Sequence, residues 1–362
     1  MSGVEVRELR ADEHAAWDRF VDEAGGRAWQ TTWWAAPLVP FGVDFCVLAR
    51  WDGGQITGGA LVRLTRVPKI PITMAEVIRG PVGADWSDAD LGLLVDAIDV
   101  VARRARSLRV TFQAVPDPQV HAALERILRA RRGAVSRHDA PSDAIIPLTG
   151  RTVDEVVAAF HKSPRRDLRV ANASTVEVRE LATGPELELA YGCFAASSGR
   201  QGYLELRPAA ALLPMMAHAA ATGDGVTLGA FDGDDILAAV FVTLVGAEAE
   251  YLYGGFRSET IDGAKVYPNL ALQQEGLRRS IAKGLDGYCL GLVGGTTKSK
   301  GVDAFKVRLG AEVIPLAERL VWTVHPRTAS LFDAVRRSSW GKQVVGRVRA
   351  AVTARGQRRA DA

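Results

Sequence analysis

Hydrophobic and polar positions along this chain fall into blocks that read alternately as strands and helices. Residues 4–9, VEVREL, alternate as a half-buried strand does. Asp12 is placed to cap a helix whose apolar positions include Ala15, Trp17, Phe20 and Val21. FCVLARW (45–51) and TGGALVRLTR (57–66) predict paired strands across the turn Asp52-Gly53-Gly54. Gly80-Pro81 breaks the pattern. Leu91, Leu94, Val95, Ile98 and Val101 then fall on one face of a helix expected from Asp88 to Ser107. A strand over 108–115, a helix over about 118–132 and a strand near 143–149 complete a first α/β unit of about 150 residues.

The second half repeats this order. Thr152 to Phe160 predicts a helix with Asp154 and Glu155 in its first turn, where the helix dipole favours acids. VEVREL recurs at 176–181, an internal similarity suggesting that the second half repeats the plan of the first. A helix over about 185–197, a polar loop over 197–208 and a helix over 209–221 follow, the last with Met215, Met216 and His218 read as core. GVTLGAF (225–231) and ILAAVFVTLVG (236–246) flank the turn Asp232-Gly233-Asp234-Asp235. EAEYLYGGF (248–256) is a strand interrupted by Gly254-Gly255, glycines that mark a bulge or close approach of a ligand. A helix from Asn269 to Lys283, capped by Gly284, leads to a short apolar strand, Tyr288 to Leu292. A Gly- and Thr-rich loop (294–297) and a short helix ending at Gly310 come next, then a strand pair or one long strand over 312–324 and a final helix from Ser330.

Size and composition bound what this can be. A chain of 362 residues exceeds one ordinary core and suggests two domains. Hydrophobic content of 48% with 24% charged residues is that of a soluble globular protein. The net charge of +3 is too small for nucleic-acid binding by bulk attraction, so local clusters matter more. Three separated cysteines and six scattered histidines carry no zinc or disulfide pattern, so no metal is expected. The charged N-terminus and the lack of a long apolar run predict neither a signal peptide nor a membrane span, and a cytoplasmic protein.

Several stretches carry candidate chemistry. Strand, glycine loop and helix over Tyr288–Gly310 form a common frame for a polar site at a strand end. There, Lys306 follows Phe305; by spacing alone it reads as a surface lysine or as a placed ammonium. Lys162, Arg165, Arg166 and Arg169 form a basic cluster, either a solvated helix face or a site for phosphates of a tRNA backbone. WQTTWW (29–34) holds three of the eight tryptophans and reads as packing or as a substrate-facing surface. The tail 336–359 is a basic amphipathic helix that can lie on an anionic membrane or on RNA, or a disordered solubilising extension.

Taken in order, WQTTWW, RGPV (79–82), PRRDLRVANASTVEV (164–178), GRQGY (199–203), YLYGGF (251–256), the helix from YPNLAL and GVDAFKVRLG (301–310) resemble the FemABX family. These are tRNA-dependent aminoacyltransferases that build peptidoglycan bridge peptides. The resemblance extends to about residue 335 and implies an α/β fold of two tandem GNAT-like domains, each a mixed sheet flanked by helices. The first would span 1–150, completed by about 318–335; the second would span 151–317; a basic tail, 336–362, would follow. It implies transfer of an amino acid from aminoacyl-tRNA, as co-substrate and without a cofactor, to an amine of a peptide-like acceptor that is lipid- or nucleotide-linked. Lys306 with Phe305 would stabilise the tetrahedral oxyanion. Arg200 would bind an acceptor phosphate, and Tyr203, Tyr251 and Tyr253 beside Gly254 and Gly255 would line the acceptor channel. Such an enzyme would work in the cytoplasm, at the inner face of the membrane, touched peripherally through the tail.

Two departures stand out. The lysine that some family members carry after the early tryptophans is absent from WWAAPLVPFG, and Cys289 stands where the family often has an acid. Both loosen the tie to lipid-linked peptidoglycan precursors and are compatible with another amine as acceptor, such as a peptide natural product; the acceptor is then a peptidoglycan precursor or such a product. Two other classes compete: a GNAT-type N-acyltransferase using acyl-CoA, and a non-catalytic membrane- or RNA-binding adaptor. RSETIDGAKVYPN (257–269) lacks the glycine-rich loop a CoA site needs.

Overall fold

In the computed structural model of the chain, residues 3–201, 206–294 and 300–337 are described, those at 199–201, 300 and 335–337 by backbone alone. The chain divides into two compact units. One comprises the segment up to Trp17, Leu38–Asp139 and the segment from Ala317; the other comprises Asp18–Pro37 and Ala140–Leu316.

The first unit is built on one mixed sheet. Its strands run in the order Glu5–Glu8, Val43–Asp52, Gln55–Arg66, Thr73–Ile78, Ser107–Gln113, Arg319–Thr323, Ala134–His138. Gly53 and Gly54 both take positive φ between Asp52 and Gln55, which makes the expected tight hairpin. Thr73–Ile78 and Ser107–Gln113 are parallel, joined by the helix Asp88–Arg104, whose N-terminus Ser87 caps by accepting the Asp90 N–H at 3.1 Å. The face predicted from spacing is the buried one: Leu91, Leu94, Val95, Ile98 and Val101 join Val77, Val110, Phe112 and Trp322 in a single core.

The second unit repeats the plan. Its strands run Glu177–Glu180, Gly225–Asp232, Asp235–Thr243, Glu248–Phe256, Gly287–Val293, Ser142–Pro147, Glu312–Pro315. The parallel pair is Glu248–Phe256 with Gly287–Val293, joined by the helix Pro268–Ala282. The two copies of EVRE, 5–8 and 177–180, each form the edge strand in the first place of their sheet. One face of this sheet packs on Val156, Phe160, Leu168, Leu272 and Leu277. On the other face lie the helices Gly184–Gln201 and Ala209–Thr222, which bring Phe194 and the buried Met215 and Met216.

The sixth place of the first sheet is filled from outside that unit's main segment, by a strand that follows the whole second sheet in sequence. After Ala134–His138, the next strand, Ser142–Pro147, pairs with Gly287–Val293 and Glu312–Pro315 in the second sheet. After Glu312–Pro315, the next strand, Arg319–Thr323, pairs with Ser107–Gln113 and Ala134–His138 in the first. The strand expected near 143–149 therefore belongs to the second unit, and the boundary falls at Asp139/Ala140 rather than at 150. Residues 312–324 are two strands of two different sheets, not one long strand. The 197–208 stretch, expected as a polar loop, is helical to Gln201.

Candidate active site

The geometry around Lys306 begins with a change of register. In the strand Gly287–Val293, Cys289 lies opposite Ile145 and Leu292 opposite Asp143. Three steps on one strand thus match two on the other, which is a β-bulge. Gly291 sits in it with φ +82°, a left-handed conformation natural to glycine. The helix Lys300–Arg308 then returns toward the strand. Asp303 accepts the Gly294 N–H at 3.2 Å and ties the helix to the strand's end. Phe305 packs against the hydrophobic core, while its neighbour Lys306 donates from Nζ to the Leu292 carbonyl at 2.7 Å. Burial pushes the Lys306 amine below its ordinary pKa of 10.5, against the opposing pull of Asp303, Cys289 and Asp143. The side chain is half-buried and its hydrogen bond lies at the surface, so the push is partly screened by water.

Behind this lysine lies a run of buried charges. Asp143 is 1% exposed and Glu250, the Cα partner of Cys289 on the parallel strand, is 4% exposed. Arg27 stands beside Glu250 at 3.1 Å and forms a close ion pair with Glu248. Burial disfavours the Arg27 cation, but Glu250 and Glu248 outweigh it and raise its pKa. Burial pushes the Cys289 thiol up to about 11; Asp143 and Glu250 add to this, while Arg27 and a hydrogen bond from the Gly291 N–H oppose it. The sequence does hold a signal for these groups that the pattern reading missed: an acid inside an apolar strand, as in SDAIIP and EAEYLY.

The tyrosines of the expected acceptor channel part company. Tyr253 lies opposite Phe241, but Tyr251 lies opposite Val242, because Leu252 is an extra residue at a bulge. Successive residues of the partner strand face opposite sides, so the two tyrosines do as well. Tyr251 packs into the core, its hydroxyl over Gly254, where an added Cβ would come within 1.7 Å. A Cβ at Gly255 would meet the Cys193 carbonyl at 2.2 Å. Both glycines are thus filled by the protein's own atoms instead of by a ligand.

Tyr253 turns to the other face, its ring centroid 5.8 Å from that of Phe194. Burial raises its pKa, Arg207 lowers it and Tyr191 raises it. The Arg207 guanidinium lies 4.3 Å over the buried Trp34 ring, donates to the Met215 sulfur at 3.3 Å, and its carbonyl accepts from the Tyr191 hydroxyl at 3.1 Å. Trp33 and Trp34 are buried, so their part of WQTTWW is packing. Asp18 fixes this short helical turn by accepting the Thr32 N–H at 2.6 Å and its hydroxyl at 2.7 Å. His218 is not core: it is exposed and stacks on Trp33 with centroids 5.1 Å apart.

The basic cluster lies on the helix Lys162–Ala173. Pro164, Leu168 and Ala171 face inward, leaving Lys162, Arg165, Arg166 and Arg169 exposed. Arg166 is engaged with Asp167 at 2.8 Å. Tyr203 and the tail beyond 337 lie outside the described residues, as does the Arg200 side chain. Among the described residues, no helix is long and apolar enough to cross a membrane.

Residues 158–307 match the acetyltransferase (GNAT) domain family. The fold is shared with a crystal structure of FemX, at 16% identity and TM-score 0.76 over 90% of this chain and 99% of that one. It is also shared with the C-terminal domain of a putative lysylphosphatidylglycerol synthetase from Agrobacterium fabrum, at 15% identity and TM-score 0.55 over 91% and 98%. A third structure, L-PGS from Bacillus licheniformis, aligns at 14% identity and TM-score 0.56 over 90% and 96%. No curated protein matches at the sequence level. The architecture is therefore a FemABX-like pair of GNAT folds.

Proposed function

We propose that this protein is an aminoacyltransferase that moves an amino acid from aminoacyl-tRNA to an amine of a peptide-like acceptor. The acceptor amine attacks the ester carbonyl, a C–N bond forms, the C–O bond to the ribose breaks, and the ribose hydroxyl leaves with a proton. The tetrahedral intermediate carries an oxyanion that a fixed cation stabilises. The observation that carries this reading is Lys306: a half-buried ammonium that donates to the Leu292 carbonyl at the end of a bulged strand. Phe305 anchors the turn of helix that presents it. The exposed Lys162, Arg165 and Arg169 supply the cations a tRNA backbone needs, and Arg200 and Tyr203 are assigned to the acceptor. An acceptor linked to a lipid would place the work at the inner face of the membrane, with the tail 336–359 as a peripheral contact.

A second reading, acyl transfer from acyl-CoA, is favoured by the match of 158–307 to the acetyltransferase domain family. Against it stands the helix after the parallel strand. A CoA pyrophosphate needs free N–H groups at such an N-terminus, and here the first helical residue is Pro268, which has none, preceded by Tyr267 at φ +49°.

The test is transfer of label from a mixture of charged tRNAs to candidate amine acceptors, beside a parallel assay with acetyl-CoA. Lys306→Met keeps the stem and removes the charge; the rate of transfer should fall by about 100- to 1000-fold. Label transfer that survives ribonuclease treatment of the donor refutes the tRNA reading, and a Lys306→Met rate near wild type removes Lys306 from the chemistry.

A further inference from the structure

We propose that Gly291 is a positioning residue for Lys306: the left-handed bulge at Gly291 turns the Leu292 carbonyl to the Lys306 ammonium. This inference rests on the functional reading of Lys306 given above. Three observations converge on it. The bulge lies between Cys289 and Leu292, the residues flanking the turn of chain that meets the lysine. Gly291 has φ +82°, and a Cβ built on it would find Lys306 Nζ at 3.6 Å as its one neighbour within 4 Å. The Leu292 carbonyl that the bulge presents accepts from Nζ at 2.7 Å.

The bulge lies against buried acids: Cys289 stands opposite Glu250 on the parallel strand, and Leu292 opposite Asp143 on the antiparallel one. An L-residue with a Cβ opposes the left-handed backbone at 291, so alanine there would draw the bulge toward an ordinary strand and move the Leu292 carbonyl. Its methyl would also lie 3.6 Å from the ammonium.

The test separates placement from activity. Competitive acetylation of Lys306 across pH, read by mass spectrometry, reports the ammonium's surroundings without any tRNA. In Gly291→Ala, the midpoint should fall further below 10.5 by about half a unit or more, roughly a threefold gain of neutral amine at a fixed pH below the midpoint, because the ammonium loses its carbonyl partner and gains a methyl neighbour. Gly291→Asn, which tolerates the left-handed region, should restore most of the wild-type midpoint. In the transfer assay, Gly291→Ala should lower kcat by about 100-fold with KM for the charged tRNA nearly unchanged. A lower melting temperature with an unmoved Lys306 midpoint overturns the assignment and leaves Gly291 a structural residue. So does an alanine variant with wild-type midpoint and kcat. Absence of transfer in the wild type counts against the functional reading, while the labelling decides the placement.

Discussion

Replacing Arg27 by methionine tests the buried charges behind the site. Arg27 is 12% exposed and Glu250 5% exposed at their side chains, and they lie 3.1 Å apart. Methionine fills similar space but leaves Glu250 without its cation. Removing one member of a buried ion pair costs about 3–5 kcal/mol, because the partner stays desolvated. Glu248, 26% exposed, can turn to water and should add little. Urea unfolding of Arg27→Met, Glu250→Gln and the double variant closes the cycle. The double variant should be more stable than Arg27→Met, because glutamine removes the charge left without its partner. A penalty for Arg27→Met below about 1 kcal/mol would show that Glu250 reaches water and would refute this account.

Three further outcomes follow from the same geometry. Glu125 is held to about 2 chiefly by its hydrogen bond to Arg137, with burial opposing and Arg129 helping; a depressed carboxyl contributes stability above its unfolded pKa and loses it as pH falls. Acid unfolding of the wild type should therefore steepen between about pH 4.5 and 2, and Glu125→Gln should flatten that limb; an unchanged curve would count against the pairing. All three thiols are buried, with Cys46 pushed up to about 12 and Cys289 to about 11, so a disulfide reagent at pH 8 should modify them only after denaturant is added. Asp18→Ala removes the acceptor of two Thr32 donors and should cost about 1–2 kcal/mol by urea titration, with loss of tryptophan fluorescence resolution at the Trp33–Trp34 turn; a cost near zero would mean water replaces the cap.

Local chemistry was legible in the sequence where it acts over a few residues. Asp52-Gly53-Gly54 specified its hairpin, and the spacing from Leu91 to Val101 specified a buried helix face. The repeated VEVREL pointed to two like sheets, since each copy is an edge strand. What stayed hidden depends on partners far along the chain. Whether Ser142–Pro147 completes the first or the second sheet is decided by pairing with strands more than a hundred residues away. The separation of Tyr251 from Tyr253 turns on one extra residue at Leu252, which alternation alone counts as a regular strand. Lys306 read as a surface charge or a placed one with equal ease, because the Gly291 bulge that meets it is a property of register and not of composition.

The late return of Arg319–Thr323 also sets the order in which this protein can be made. Synthesis runs from the N-terminus, and domains ordinarily close in that order. Here the first sheet waits for Arg319–Thr323, which leaves the ribosome only after every strand of the second sheet has been made. At about 5–20 residues per second the delay is on the order of tens of seconds. Over that interval Ser107–Gln113 has an unfilled edge, with Ala134–His138 lacking the strand it pairs with. The second sheet, all of whose strands precede residue 319, is thus the first able to close.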